Sequence, residues 1–198
     1  MLRIPVLVRG INNLSDARYC AGMGADGLIF TLDPTLPGAV DAATVKELAS
    51  WVAGVKLLGE FDALPVSEIN RLVEECALQE ILLATTPQAP LTVPGLLRID
   101  SAAALATVQQ QLTAAFPAGF GLVVSLDAYP DAATHQALAE AAAKIPLWLS
   151  GLIHPDNVLA LLDTIHPAGF ILQGGDELKP GLRDFTELEA VFEALEEE

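Results

Sequence analysis

Arg9 closes the apolar run "IPVLVRGI", where a charged residue interrupts what otherwise reads as a buried strand. Other polar residues follow apolar runs in the same way: Asp33, Glu60, Asp62, Asp100, Asp127, Gln173 and Asp176. The set is acidic, with Arg9 as its main inward cation. Carboxylates in unlike surroundings can supply an acid and a base of separated pKa. The guanidinium of Arg9 cannot be that base, because its pKa lies above about 12. It can clamp the carboxylate or phosphate of a ligand, or it can pair with a carboxylate of the chain such as Asp127, Asp100 or Glu60. A buried arginine without a partner would be costly. Asp127 is, in turn, either an acid available for catalysis or the counter-ion of Arg9. Gly174 and Gly175 either offer backbone N–H groups to a phosphate at a short helix or make a tight turn.

Metal chemistry finds no footing. His135, His154 and His166 show no ligand spacing and read as surface residues. Cys20 and Cys76 fall inside amphipathic helical patterns, where a free cysteine packs as a small apolar residue. No cofactor is expected.

Stepping from these residues to their carriers, apolar runs of strand length recur at roughly 25-residue intervals. They are "IPVLVRGI", "GLIFTL", "VKLLGEF", "EILLAT", "LLRID", "GLVVSLDA", "PLWLSGL" and "GFILQGG". Continuous hydrophobicity, without alternation, suits strands covered on both faces, as in a parallel sheet. Helical spacing fills the intervals "SDARYCAGMG", "DAATVKELASWVAG", "VSEINRLVEECAL", "AAALATVQQQLTAAF", "HQALAEAAAKI" and "PDNVLALLDTI", and the chain ends on the acidic helix "ELEAVFEALEEE". Pro155 fits a first helical position, where its missing N–H costs nothing. Asp184 and Glu187 have capping-box spacing before the last helix. Eight such units predict a single (β/α)8 TIM barrel over residues 1–198, with an open doubly wound sheet as the alternative. One unit breaks the pattern. Three prolines in "TPQAPLTVPG" cannot sustain a helix, so a loop is expected after the fourth strand.

Composition narrows the function classes. A chain of 198 residues suits one domain with a full core. Its net charge of −16 argues against nucleic acid and reads as a solvated acidic surface. No stretch approaches the roughly 18 apolar residues of a membrane helix. The chain opens on a strand with no targeting pattern before it, and a cytoplasmic location is expected.

In such barrels the active site lies at the carboxyl ends of the strands. The residues there resemble one family. "RGINNLSDARYCAGMGADGLIF" is similar to the first βα unit of phosphoribosylanthranilate isomerase, a small barrel that performs an Amadori rearrangement in tryptophan biosynthesis. "VKLLGEFDALPVSEINRLVEECAL" resembles its third unit, "PLWLSGLIHPDNVLAL" its L-A-G-G-L-N-P-E-N-V segment, and "GFILQGGDELKPGLRD" its eighth-strand segment. The resemblance implies a barrel fold, an isomerase and a phosphorylated ligand.

Residue by residue, the chemistry matches less well than the fold. The family's catalytic Cys, its general base, falls at Arg9. The Lys before it falls at Leu7, and the Thr after it at Asn12. The substrate-binding Arg falls at Gly38, and "AYPDAATHQAL" replaces the glycine-rich loop after the sixth strand. The second Gly of the seventh segment falls at Leu152; the Asp and two Ser of the eighth fall at Ile171, Gln173 and Gly174. Asp127, at the general-acid position, is retained, as are Gly151, Gly175, Glu177, Pro180, Gly181 and Asp184. The isomerase reaction is therefore not expected. What is expected is a barrel that binds a small anionic or phosphorylated ligand, with Arg9, Gly151, Gly174 and Gly175 as candidate contacts. The alternatives are an active isomerase of tryptophan biosynthesis or another sugar-phosphate enzyme that uses Asp127, and an interaction protein without catalysis.

Overall fold

The computed structural model describes residues 1–99, 119–174, 176–179 and 182–197. Eight parallel strands close into a barrel in chain order: β1 (Val6–Arg9), β2 (Gly27–Thr31), β3 (Lys56–Phe61), β4 (Glu80–Leu83), β5 (Gly95–Ile99), β6 (Phe120–Leu126), β7 (Leu147–Gly151) and β8 (Gly169–Gln173). β8 pairs back onto β1, with Arg9 opposite Gln173. The barrel reading holds over the open sheet.

Each apolar run seen in the sequence supplies one strand, because its side chains face two different interiors. Every second residue points into the barrel. Leu7, Ile29, Leu58, Leu82, Leu96, Val123 and Ile171 form one apolar layer there, with Trp148 packed against it. The residues between them face outward and are buried under the helices. Val6, Val8, Leu28, Phe30, Leu122, Val124, Leu149 and Phe170 belong to that larger core. Trp148 fits only because β8 begins with glycine. A Cβ on Gly169 would lie 2.2 Å from the indole.

The described helices are α1 (Leu14–Gly22), α2 (Ala42–Ala49), α3 (Val66–Cys76), α4 (Ala132–Ala142), α5 (Pro155–Ile165) and α6 (Thr186–Leu195). Asn13, Asp41 and Asp131 cap the first, second and fourth, each side chain accepting an N–H three residues on. Pro155 opens α5 as expected. Cys20 and Cys76 are buried in the outer core, as read from the sequence. The expected capping box before α6 does not form. Asp184 accepts the N–H of Thr186 at 2.9 Å, and the Glu187 side chain instead reaches His154.

No helix separates β4 from β5. The proline-rich loop there is held to α3 by Asn70, which accepts the Thr92 N–H at 3.2 Å and donates to the Pro90 carbonyl at 3.3 Å. The segment "AAALATVQQQLTAAF" lies outside the described residues. After β8 the chain makes an antiparallel hairpin, β9 (Asp176–Lys179) with β10 (Leu182–Asp184). At the opposite end of the barrel, Arg3 N–H bonds to the Leu195 carbonyl at 2.8 Å, tying the two ends of the chain together. Among the described residues no helix is long and apolar enough to cross a membrane.

Candidate functional site

Two residues beyond the apolar layer, the same strands turn polar. The inward positions are now Arg9, Thr31, Glu60, Arg98, Ser125, Ser150 and Gln173, at the carboxyl ends of the strands. The period of two that builds the barrel floor also builds its mouth.

Glu60 is the centre of this layer and is 1% exposed. Its Oε2 accepts from Arg9 Nε at 2.8 Å and from the Thr31 hydroxyl at 3.1 Å. Its Oε1 accepts from Arg98 Nη1 at 2.7 Å and from Arg9 Nη2. Arg98 also donates to Asp62, at 3.2 Å to Oδ2 and 3.3 Å to Oδ1. Two guanidinium groups thus face two carboxylates. A buried carboxylate is tolerable only with such company, since the cost of its lost hydration must be met by donors and opposite charge.

Asp33 supports this arrangement from below the surface. It is fully buried after β2 and accepts the N–H groups of Asp62 at 2.9 Å and Ala63 at 2.7 Å. Thr35 adds its hydroxyl at 2.6 Å and its N–H at 3.0 Å. Burial pushes the Asp33 pKa up, but hydrogen bonds from Ala63, Thr35 and Asp62 outweigh it and hold the carboxyl well below the usual range. By gripping the chain just past β3, Asp33 sets where Glu60 and Asp62 stand.

Arg9 pairs with Glu60, so the pairing expected from the sequence forms, with β3 as its source. Asp127 does not serve as counter-ion. It lies just beyond β6, exposed, and makes no hydrogen bond or ion pair among the described residues. Asp100 lies outside the described residues. Arg9 is also not alone. Arg98, with a side chain 11% exposed, is the second inward cation and was missed in the sequence. Its signal was present. Arg98 follows Leu96 as Arg9 follows Leu7, two residues above the same apolar layer.

Beside the network lies a cavity of about 120 Å³. Arg9, Arg98, Ser125, Ser150 and Gln173 supply its polar lining, and Leu82, Val123, Ile171 and Leu172 its apolar wall. No carboxylate borders it among the described residues, although Glu60 and Asp62 stand in the adjoining network. Among the described residues, neither serine hydroxyl nor the Gln173 amide is hydrogen-bonded. Arg9 spends Nε and Nη2 on Glu60, which leaves Nη1 and the outer N–H of Nη2 open.

The glycines play backbone parts. Gly151 also borders the cavity, with φ of 88°. A Cβ there would lie 2.3 Å from the Leu126 carbonyl oxygen. The Gly174 N–H donates to the Arg9 carbonyl at 2.8 Å, extending the β1–β8 ladder. Gly175 lies outside the described residues, and the segment after it is a hairpin instead of a short helix. A neighbouring groove of about 460 Å³ is bordered by Gly174, His154, Thr186, Asp184 and Glu187, with no Lys or Arg among its described lining. His135 and His154 are half-buried and His166 exposed. No group of three or more His, Cys, Asp or Glu among the described residues is placed to hold a metal ion.

No family model matches the chain. It is 29% identical to N-(5'-phosphoribosyl)anthranilate isomerase of Deinococcus radiodurans, covering 98% of this chain and 97% of that protein. It is 27% identical to the enzyme of the same name from Pelobacter propionicus, covering 93% and 92%. The crystal structure of phosphoribosyl anthranilate isomerase from Thermus thermophilus superposes with a TM-score of 0.77 at 24% identity, over 97% of this chain and 98% of that one. The resemblance to phosphoribosylanthranilate isomerases therefore holds along the whole chain, in sequence and in fold.

Proposed function

We propose that this phosphoribosylanthranilate isomerase-like barrel does not catalyse the Amadori isomerisation and instead holds a small anionic ligand at its mouth. The ion pair between Arg9 and Glu60 carries the reading. The resemblance puts the general base at position 9, and a guanidinium does not give up its proton in a protein. Glu60, the nearest acid to it, has both oxygens occupied by donors. Neither cysteine nor histidine lines the cavity among the described residues, so no side chain of ordinary basicity stands in. Loss of an acid–base partner costs on the order of 10²–10⁴ in rate.

Two further features support it. A pocket for a ligand as large as an anthranilate sugar phosphate measures about 300 Å³ or more. The cavity here is about 120 Å³. The adjoining groove, beside the eighth strand, meets a phosphate with Asp184 and Glu187. The test is growth of an isomerase-deficient tryptophan auxotroph carrying this chain, run beside Arg9→Cys and a turnover assay on purified protein. The expected result is no growth and no turnover for the unmodified chain. Growth with it would overturn the reading.

One observation favours a second reading. Asp127 is exposed and without a partner among the described residues, as an acid awaiting a substrate would be. An enzyme built on Asp127 would lose its activity in Asp127→Asn while keeping its fold by circular dichroism.

A further inference from the structure

We propose that the mouth ligand is a small monocarboxylate, of acetate to pyruvate size, held bidentately on the open edge of Arg9; this rests on the reading of the mouth as an anion site. The bonds to Glu60 use the side of the guanidinium formed by Nε and Nη2. The end formed by Nη1 and the outer N–H of Nη2 remains, two parallel donors with the spacing of a carboxylate's two oxygens. Arg9 keeps a side-chain exposure of 33% and borders the cavity, so that edge is within reach of solvent.

Size favours a small molecule. The cavity measures about 120 Å³, well under the roughly 300 Å³ at which pockets for drug-sized ligands begin, so it suits a ligand of a few heavy atoms. Charge sets the valence. The positive charges of Arg9 and Arg98 are already met by Glu60 and Asp62, so a monoanion adds one uncompensated charge and a phosphate dianion two. Each such charge is costly away from water. Chemistry sets the rest of the molecule. The hydroxyls of Ser125 and Ser150 and the Gln173 amide offer hydrogen bonds to a carbonyl or hydroxyl next to the carboxylate. Leu82, Val123, Ile171 and Leu172 offer a wall to one or two methyl-sized groups. A short 2-oxo or 2-hydroxy acid satisfies all three conditions.

Arg98 and Thr31 enter as positioning residues. They hold Glu60, and Glu60 holds the Nε and Nη2 side of Arg9, which borders the cavity. Calorimetric titration with sodium pyruvate, acetate, inorganic phosphate and ribose 5-phosphate tests the proposal. Pyruvate is expected to bind once per chain with a Kd of about 1 mM or tighter, as befits so small a ligand. Phosphate and ribose 5-phosphate are expected neither to bind at that strength nor to displace it. Ser150→Leu fills the cavity without touching the ion pairs and is expected to weaken pyruvate by about tenfold or more. Arg9→Lys, which keeps the charge but removes the fork, is expected to do the same while remaining folded. Absence of pyruvate and acetate binding, or binding untouched by Ser150→Leu, overturns the proposal. Tighter ribose 5-phosphate binding that Ser150→Leu abolishes overturns the carboxylate assignment and leaves the anion-site reading standing. Isomerase turnover would overturn that broader reading independently.

Discussion

Glu60 and its two arginines form a unit whose members are unequal. Glu60 is wholly buried, whereas Arg9 is a third exposed. Replacing Glu60 with Gln leaves two guanidinium groups facing each other across a neutral amide. The expected destabilisation is about 3–5 kcal/mol, the usual result of stripping one partner from a buried pair. Arg9→Leu removes less, because Glu60 keeps Arg98 and Thr31. A loss of about 1–3 kcal/mol is expected there, in the range of a hydrogen bond to a charged group, with solvent exposure weakening it further. The Arg9→Leu/Glu60→Leu double variant should be more stable than the sum of the corresponding single leucine changes predicts, by about 0.5–3 kcal/mol. Urea denaturation of the variants measures all of these. If the singles add without coupling, the pair contributes nothing as a pair, and Arg9 is then a surface residue that only happens to lie near Glu60.

At the scale of elements, the exit of β3 depends on Asp33. Its carboxylate form is the one that holds the N–H groups of Asp62, Ala63 and Thr35, so its pKa is lowered on folding. A group of this kind stabilises the fold above its unfolded pKa of about 3.9, and that stability is lost as pH falls toward the folded value. Asp33→Asn should therefore lower stability at neutral pH and flatten the decline seen below about pH 4. Acid titration followed by circular dichroism distinguishes this from a purely steric effect, which would shift the whole curve without changing its slope. The barrel itself was legible in the sequence because each strand buries both faces and so reads as an unbroken apolar run. The loop after β4 was legible for the same kind of reason, since proline cannot donate within a helix. The mouth was only partly legible. Arg9 stood out because the run "IPVLVRGI" is long enough to show the interruption, whereas "LLRID" is short and its arginine passed as a strand end. The cap of α6 was misread for a different reason. Spacing alone does not say that Glu187 has a competing partner, His154, contributed by another βα unit.

The whole molecule sets a field that opposes its own mouth. Ten Lys and Arg stand against 26 Asp and Glu. Of those cations, Lys46, Lys56, Arg71 and Arg3 are already committed to surface pairs, and Arg9 and Arg98 to the barrel network. The remaining carboxylates repel one another and any approaching anion over a Debye length of about 30 Å at 0.01 M salt, but only about 8 Å at 0.15 M. Added salt should thus raise the urea midpoint between these two conditions, since surface repulsion is screened while the buried Arg9–Glu60–Arg98 contacts are screened much less. The same asymmetry bears on ligand capture. Arg9 acts over a few ångströms inside the mouth, whereas the acidic surface acts at the distances where encounter is decided. The association rate of pyruvate should accordingly rise with salt over this range, and its dissociation rate should change little, because dissociation begins from contacts that salt does not reach. Rapid-mixing fluorescence at the two ionic strengths measures both rates. An association rate that falls with salt would mean that the arginine-lined mouth, and not the acidic surface, governs the approach, and the mouth would then work as an anion trap even for ligands larger than it can hold.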